Sequence, residues 1–372
     1  MGPGRPRVFE RRGGQVRTAT ARIVYGTEVV SGVRLWTLGA GDRERWDAFV
    51  RSSPEATFFH LTGWKNVVEN VLGHPTYYLY AESASGIEGV LPLAHIRSWL
   101  FGNALVSSPF CVYGGVAAKT EEARRALEDE AERLAVSLGV DYLEMRNRSV
   151  RRNDWPTKDL YVTFRKTIHP DPEANLNAIP RKQRAMVRKG IAAGLESVVD
   201  AGVDRFFHAY ATSTRNLGTP VLSERYFQAL KEEFGDSCEV LTVTKAGKVV
   251  SSVLSFYFRD EVLPYYGGGP AEARELKAND FMYWELMRRS GERGIRVFDY
   301  GRSKVGSGSY SFKKNWGFEP EPLPYQYRLV KAQSVPNVSP TNPKYRLMIE
   351  AWRRLPLSVA KRLGPILARN LG

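Results

Sequence analysis

Apolar and polar positions along the chain predict the same succession of elements twice. In each half, two stretches with helical periodicity precede two apolar runs that flank a glycine-bearing turn. Such paired runs are typical of a β-hairpin. The predicted helices are 42–50 and 62–72 in the first half and 203–216 and 224–234 in the second. The predicted hairpins are 76–96 and 237–258.

The segments that follow the hairpins also resemble each other. Residues 112–148 and 265–303 each contain Tyr-Gly-Gly, a long stretch with helical patterning, a glycine, and a short strand with an acid and an arginine near its end. The corresponding pairs are Tyr113 with Tyr266, Gly139 with Gly294, and Glu144 with Asp299. A repeat of this kind indicates tandem duplication of one structural unit. The order helix, helix, hairpin, strand, helix, strand predicts an α/β (α+β) fold with a mixed sheet in each copy.

A length of 372 residues suits two domains better than one hydrophobic core. Proline and charge become denser at 152–173, and we predict the domain boundary there. The N-terminal segment is rich in arginine and glycine, which predicts a disordered basic tail. The expected division is a tail over 1–30, domains over 31–155 and 156–330, and an extension with an amphipathic helix over 331–372.

The net charge of +14 favours an anionic partner such as tRNA, a phosphorylated substrate or an anionic lipid. Cys111, Cys238 and the five histidines lack metal-ligand spacing, so we expect no metal site. The chain shows no secretory signal and no run of about 18 apolar residues. We therefore expect a cytoplasmic protein, unless it binds the inner face of a membrane.

A cationic helix is predicted after Pro180, in the segment "IPRKQRAMVRKG". Its apolar side would carry Met186, Val187, Ile191 and Leu195, and its polar side Arg181, Lys182, Arg184, Arg188 and Lys189. Like charges at this spacing destabilise a helix, so the run without an acid favours anion binding as much as a solvated face. Arg181 and Arg184 are therefore candidate substrate-binding residues.

A second candidate cation is Arg215, which follows a helical stretch and precedes a Gly-Thr-Pro turn. An arginine near Tyr226 can bind phosphate or carboxylate with two hydrogen bonds. It can equally complement the dipole at the helix C-terminus. Both interpretations stay open at the level of sequence.

The segment "DYGRSKVGSGSYSFKKNWGF", residues 299–318, follows a buried run that begins at Ile295 and predicts a strand. Its "RSKVGSG" has one residue too many for a pyrophosphate-binding R/Q-x-x-G-x-G/A loop, and no helix start is evident after it. In "SFKKNWGF", Lys313 lies among aromatic residues, where a positioned lysine can stabilise the oxyanion of acyl transfer. A solvated pair of lysines is the alternative. Asp299 either orients and deprotonates an acceptor or forms an ion pair with Arg302.

Several long motifs make the chain resemble the FemAB-like acyltransferases, most closely the branch associated with exosortase (PEP-CTERM) and exopolysaccharide systems. They are "TFFHLTGWKNVVENVLGH", "GVLPLAHIRSWLFGNALVSSPFCVYGG", "IPRKQRAMVRKG" and "FDYGRSKVGSGSYSFKKNWGFEPEPLPYQY", and the resemblance covers about residues 33–330. It implies two tandem GNAT-like domains, each with a mostly antiparallel sheet flanked by helices. Better-studied members move an amino acid from aminoacyl-tRNA to an amine of a peptidoglycan precursor. The long helical hairpin of many tRNA-dependent members is missing here.

The resemblance also implies roles for particular residues. The family's Phe-Lys pair corresponds to Phe312 and Lys313, and its lysine assists the transfer. The arginine and tyrosine that line its acceptor cavity correspond to Arg215 and Tyr226. Together with the candidates from the sequence itself, the expected catalytic residues are Lys313 and Asp299, and the expected substrate-binding residues are Arg215, Tyr226, Phe312, Arg302, Tyr266, Arg181 and Arg184.

The sequence therefore predicts an acyl- or aminoacyltransferase that acts on an amine or hydroxyl of a cell-envelope or exopolysaccharide precursor. The donor is aminoacyl-tRNA or acyl-CoA, and no bound cofactor is expected. One alternative is an acyl-CoA-dependent GNAT N-acyltransferase. Another is a non-catalytic component at an anionic membrane, because the C-terminal segment predicts an interfacial helix. Its apolar face would contain Val359, Leu363, Ile366 and Leu367, flanked by Arg353, Arg354, Lys361, Arg362 and Arg369, although Pro356 and Pro365 would interrupt it.

Overall fold

The structure is a computed structural model that describes residues 29–30, 32–98, 102–335 and 346–371. The predicted basic tail lies outside the described residues except for Val29–Val30, which form strand β1. The remaining strands of the first half are β2 (Val33–Thr37), β3 (Thr76–Ser83), β4 (Gly86–Ser98), β5 (Gly102–Ser107), β6 (Ala117–Ala118) and β7 (Tyr142–Met145). Its helices are α1 (Arg43–Ser52), α2 (Gly63–Val67, continued by a π-helical turn) and α3 (Glu121–Leu138).

The second half repeats this order with additions. Its strands are β8 (Thr157–Thr167), β9 (Glu196–Asp200), β10 (Cys238–Lys245), β11 (Lys248–Phe258), β12 (Glu261–Gly268), β13 (Val297–Asp299), β14 (Ser303–Lys304) and β15 (Pro320–Leu329). Its helices are α4 (Pro172–Ala178), α5 (Arg181–Ala192), α6 (Asp204–Leu217), α7 (Glu224–Phe234), α8 (Ala278–Glu292) and α9 (Gly308–Asn315). Two further helices, α10 (Arg346–Arg354) and α11 (Leu357–Ala368), belong to the C-terminal extension.

The strands form one continuous sheet in the order β1-β2-β3-β4-β5-β7-β15-β8-β13-β12-β11-β10-β9. The pairs β5/β7 and β12/β13 are parallel, and the other pairs in this order are antiparallel. Each parallel pair is connected through one long helix, α3 or α8, as expected for a βαβ unit. The predicted mixed, mostly antiparallel sheet flanked by helices is confirmed.

Strands β8 and β15 join the two halves. β15, from the end of the second half, lies between β7 of the first half and β8. β8 in turn pairs with β15 along its first part and with β13 at its end, where Arg165 is opposite Asp299. The domain boundary expected at 152–173 stays a prediction, and β8 runs through that segment.

Three hydrophobic clusters form the core. One lies within the first half around α3, a second lies within the second half around α8, and the largest contains residues of both halves. In that shared cluster Phe58 packs on Phe256, with ring centroids 4.5 Å apart, and on Phe234 at 4.6 Å. The halves are therefore held together by aromatic packing as well as by strand pairing.

The predicted helices and hairpins agree closely with the observed elements, and both repeat glycines follow a helix with positive φ, Gly139 at 60° and Gly294 at 81°. The strand predicted from Ile295 begins only at Val297, because Arg296 is exposed and pairs with Asp260. Val187 and Leu195 of the predicted apolar side are buried, but Ile191 is 47% exposed, and Gln183 and Gly190 lie on the inner face of α5.

Two further sequence predictions need correction. A helix does start after Gly306, where none was evident in the sequence, because Ser307 caps helix α9. Pro365 lies inside α11 without ending it, and Pro356 provides the N-cap of that helix, where a residue without an N–H is tolerated. No helix among the described residues combines the length and apolarity needed to cross a membrane.

Candidate active site

Helix α9 places Lys313 at the end of strand β13. The Ser307 hydroxyl accepts a hydrogen bond from the Tyr310 N–H at 3.3 Å and thereby begins the helix. Phe312, which is half-buried, packs on Tyr283 and Trp316 with centroid separations of 5.8 and 6.1 Å. Phe312 thus anchors α9, and the residue after it points inward.

The amine of Lys313 is buried, with 8% of the residue exposed. It donates hydrogen bonds to the carbonyl oxygens of Gly301 at 2.9 Å and Arg302 at 3.2 Å. It also lies over the rings of Phe164 at 5.6 Å and Tyr300 at 5.9 Å. Burial lowers the pKa of Lys313 to about 7; the nearby Asp299 carboxylate opposes this shift and the Arg302 charge adds to it.

Asp299 has no exposed surface, and both of its carboxylate oxygens are occupied. One accepts from the Tyr113 hydroxyl and the Arg165 guanidinium, each at 2.7 Å. The other accepts from the Gly301 N–H at 2.7 Å and the Thr163 hydroxyl at 3.3 Å. The ion-pair partner of Asp299 is therefore Arg165, and the alternative pair with Arg302 that the sequence left open is wrong. A carboxylate bonded in this way suits a supporting role better than that of a base.

Tyr113, Thr163 and Arg165 were missed by sequence reasoning. Tyr113 comes from the first half, so its hydrogen bond joins the two repeat copies at Asp299. Burial raises the pKa of Tyr113 far above its usual value, which keeps the phenol protonated as a donor. The repeat alignment marked Tyr113, but no local signal connects it with Asp299, because their contact depends on the way the halves pack.

Arg302, whose carbonyl accepts a hydrogen bond from Lys313, is exposed as a whole residue, and its guanidinium lies against aromatic rings. Its guanidinium stacks over Tyr161 at 4.6 Å and lies 5.8 Å from the Tyr325 ring. Its Nη1 is 3.4 Å from the Tyr325 hydroxyl. Gly301, beside it, touches the first half, since a Cβ there would lie 3.6 Å from Val112 Cγ2. Arg302 and Lys313 thus occupy the junction of the halves.

Tyr226 and Tyr266 form a second group, joined through their hydroxyls at 2.9 Å. Tyr226 has no exposed surface. Arg215 lies in the last turn of α6, and its Nη1 donates to the Arg353 carbonyl of α10 at 3.3 Å. The structure therefore pairs the two tyrosines with each other and directs Arg215 toward the C-terminal extension. Their acceptor-binding role stays a prediction.

Arg181 and Arg184 lie at the start of α5, beside the end of α9. The two helices meet where Gly317 approaches Pro180, since a Cβ on Gly317 would lie 3.0 Å from the proline ring. Arg181 is exposed, and Arg184 donates to the Asn177 side chain at 2.7 Å. These cations form a basic surface next to the helix that carries Lys313.

The N-termini of the two βαβ helices both carry acidic residues. Glu121 and Glu122 occupy the first turn of α3. In the first turn of α8, Asp280 accepts hydrogen bonds from Gln183 and from Trp316 Nε1, the latter at 3.2 Å. Helix α5 covers this end of α8, because a Cβ on Gly190 would lie 2.8 Å from that of Phe281. The start of α8 is therefore covered, and the start of α3 is exposed and carries two acids.

A cavity of about 330 Å³ lies at the ends of the parallel strands of the first half and does not include Lys313. It is lined by Pro54, Glu55, Gly114, Val116, Asn147, Arg148 and Arg151. The Arg148 guanidinium at its wall stacks on the Tyr113 ring at 5.2 Å. Within the described part of the chain, no group of three or more His, Cys, Asp and Glu side chains could hold a metal ion.

Comparison with known proteins agrees with this architecture. Residues 177–314, which include Asp299, Arg302 and Lys313, match the family model described as acetyltransferase (GNAT) domain. FemX is similar in structure, with a TM-score of 0.61 and 14% sequence identity over 85% of this chain and 99% of the FemX chain. A tandem GNAT protein from the clavulanic acid biosynthesis pathway has a TM-score of 0.51 and 12% identity over 81% of this chain and all of its own. No curated protein matches the chain.

These findings confirm the predicted fold of two tandem GNAT-like domains. The matched acetyltransferase domain contains the buried lysine and the exposed arginine at the end of β13. The chain is therefore an acyltransferase with a GNAT fold.

Proposed function

We propose that this acyltransferase moves an acyl or aminoacyl group to an amine, or a hydroxyl, of a cell-envelope or exopolysaccharide precursor, as its resemblance to FemAB-like enzymes implies. The observation that carries the proposal is the buried amine of Lys313, which has a pKa of about 7 and lies at the junction of the two halves. The fold shared with FemX supports the same reaction class.

Lys313 is suited to stabilise charge that develops on an acyl donor. An ammonium group has three N–H donors, and two of them are directed at the carbonyls of Gly301 and Arg302. The third remains for a substrate oxygen. A fixed donor in a site of low polarity stabilises the oxyanion that forms at the donor carbonyl. Because its pKa is about 7, Lys313 also exchanges its proton readily near neutral pH.

In the proposed reaction, the acceptor nitrogen forms a bond to the acyl carbon, and the bond from that carbon to the ester oxygen or thioester sulfur of the donor breaks. Lys313 gives its proton to the departing atom and receives one from the acceptor nitrogen. Asp299 takes no proton in this scheme. It positions the loop that binds Lys313 by holding the Gly301 N–H and Arg165.

The charge distribution supports an anionic donor. Arg302 is exposed beside Lys313, and Arg181 and Arg184 lie next to the end of α9. Guanidinium groups bind phosphate oxygens with two hydrogen bonds, so this basic surface suits the phosphate backbone of an RNA donor.

Aminoacyl-tRNA is favoured over acyl-CoA by the helix N-termini. Proteins often bind a pyrophosphate at the N-terminus of the helix in a βα unit. Here that position holds Glu121 and Glu122 in α3, and in α8 it holds Asp280 and is covered by α5. Carboxylates at both positions oppose the pyrophosphate of CoA.

The test is transfer of label from aminoacyl-tRNA to nucleotide- and lipid-linked envelope precursors by the full-length protein. We expect Lys313→Ala to lower the rate at least roughly tenfold, since it removes a group that acts in the transition state. The matched control is Lys314→Ala, which removes an exposed lysine from the same helix and leaves the rate unchanged.

A folded Lys313→Ala variant with the wild-type rate would remove Lys313 from the mechanism. Parallel reactions with acetyl-CoA distinguish the donors, because transfer from acetyl-CoA and not from tRNA would assign the alternative N-acyltransferase activity. No transfer from either donor to any precursor would contradict the proposed function.

A further inference from the structure

Exposed apolar side chains are concentrated at the C-terminal extension. Eleven large apolar residues are exposed in the described part of the chain, and four of them lie within residues 346–371. They are Leu347, Leu363, Ile366 and Leu371, with exposed fractions of 75%, 46%, 63% and 40%. A fifth, Leu217 at 63%, ends α6, and its carbonyl accepts from Arg353 of α10 at 3.4 Å. These five residues are named the C-terminal apolar surface.

Helix α11 is already packed on the protein through a different face. Its buried residues are Ala360, Gly364 and Ala368, spaced four apart, and a Cβ on Gly364 would lie 2.5 Å from the Val221 carbonyl oxygen. Its end is fixed to the first half, because the Arg369 carbonyl lies 2.5 Å from His74 Nε2. Leu363 and Ile366 therefore point outward from a docked helix, and their exposure is not relieved by packing within the chain.

The same two helices are strongly cationic. Residues 346–371 contain Arg346, Arg353, Arg354, Lys361, Arg362 and Arg369, and only one acid, Glu350. On α11, Arg362 is exposed beside Ile366, and on α10 both Arg353 and Arg354 are exposed. Exposed aliphatic residues flanked by arginines are typical of a helix that lies in the interface of an anionic bilayer.

Other occupants fit this surface less well. A second copy of the chain would bring the same positive charge to the contact, and like charges repel. A single-stranded nucleic acid is bound by stacking aromatic side chains, and the aromatic residue of α10, Trp352, is 6% exposed. The combination of cations with Leu and Ile is complementary to anionic headgroups above acyl chains.

We propose that α10, α11 and the end of α6 dock the protein on an anionic phospholipid bilayer. The C-terminal apolar surface enters the headgroup region, and the arginines of α10 and α11 bind lipid phosphates. This attachment is peripheral, and it does not depend on the reaction assigned to Lys313.

The test is co-sedimentation of the full-length protein with vesicles of phosphatidylcholine alone and of phosphatidylcholine mixed with phosphatidylglycerol. We expect binding to the mixed vesicles that weakens as salt is raised. The double change Leu363→Glu with Ile366→Glu places two acids on the outward face of α11, and it lowers the partition coefficient at least roughly tenfold. Because both side chains are exposed, the variant keeps its fold, which its circular dichroism and unfolding midpoint verify.

The matched control is the double change Ile191→Glu with Val198→Glu, which places two acids at apolar residues that are 47% and 42% exposed outside the C-terminal extension. It should bind vesicles like the wild type. Equal loss in both variants would show that overall charge, and not this surface, drives binding. Absence of wild-type binding to the mixed vesicles would overturn the proposal. A dimer in solution that the double change dissolves would assign the surface to a second copy.

Discussion

The ends of strands β7 and β13 occupy equivalent places in the two halves but differ in their use of charge. At the end of β7, Arg146 is 3% exposed; its Nε donates to Glu144 at 2.8 Å and its Nη1 to the Cys111 carbonyl at 2.7 Å. At the end of β13, Asp299 is paired with Arg165 from the neighbouring strand β8. The arginine that follows it, Arg302, stays exposed.

The difference shows how a duplicated unit can bury an internal ion pair in one copy and a lysine amine in the other. In the first copy, the acid and the arginine of the strand end neutralise each other. In the second copy, Asp299 is bonded to Tyr113 and Arg165 from other segments of the chain, so Arg302 does not neutralise it. The carbonyls of residues 301 and 302 bind the amine of Lys313 instead. Helix α9, which has no counterpart among the described elements of the first half, supplies that amine.

The largest difference between the two strand ends is expected in the free energy of unfolding when the arginine of each end is replaced. We expect Arg146→Ala to lower the free energy of unfolding by about 3–5 kcal/mol, because it leaves the Glu144 carboxylate buried without its partner. Arg302→Ala should cost only about 1 kcal/mol, because the residue is exposed and loses stacking on Tyr161 and Tyr325 and one long hydrogen bond to the Tyr325 hydroxyl. Denaturant unfolding of both variants measures this; similar losses in the two would contradict the comparison.

Tyr113 and Tyr266, which correspond in the repeat, should differ by a smaller amount in the free energy of unfolding. Tyr113→Phe removes a hydrogen bond to the charged Asp299, and we expect a loss of about 2 kcal/mol in the free energy of unfolding. Tyr266→Phe removes a hydrogen bond between two neutral hydroxyls and should cost about 1 kcal/mol. If both variants lose the same free energy of unfolding, the hydrogen bond from Tyr113 does not stabilise the Asp299 carboxylate more than a neutral hydrogen bond would.

The buried amine of Lys313 should make the free energy of unfolding depend on pH. Its pKa in the folded state, about 7, is below the unfolded value of 10.5, so between these values the unfolded chain binds a proton that the folded chain does not. Lys313 therefore destabilises the fold increasingly as pH falls through this window, by up to about 1.4 kcal/mol per pH unit, and the penalty is complete below the folded pKa. Lys313→Met should remove that slope.

Unfolding curves of the wild type and Lys313→Met across this pH range give the measurement. Lys314→Met is the control, because Lys314 is exposed on the same helix and its replacement should leave the slope unchanged. Parallel slopes for the wild type and Lys313→Met would mean that the amine of Lys313 is solvated in the folded protein.

The elements of this fold were largely predictable because they depend on local pattern. Helices α1, α6 and α7 and both hairpins follow periodicities of 3.6 and 2 that burial on one face imposes. Helix α9 was missed although Ser307 is a good N-cap, because the surrounding glycines and lysines suggested a loop. Ile191 was wrongly placed on the inner face of α5, because the contact of this helix with α8 uses Gly190 and Gln183, which hydropathy does not mark as buried.

By itself, the sequence determined the duplication and the alternation of elements, since both are encoded in spacing along the chain. Only the tertiary structure decided that Asp299 binds Tyr113 and Arg165, that Lys313 is buried against two carbonyls, and that the C-terminal helix is docked with Ile366 outward. The physical reason is that hydrogen-bond partners and desolvation depend on which segments meet in space. Tyr113 and Asp299 are 186 positions apart, a separation that no local pattern bridges.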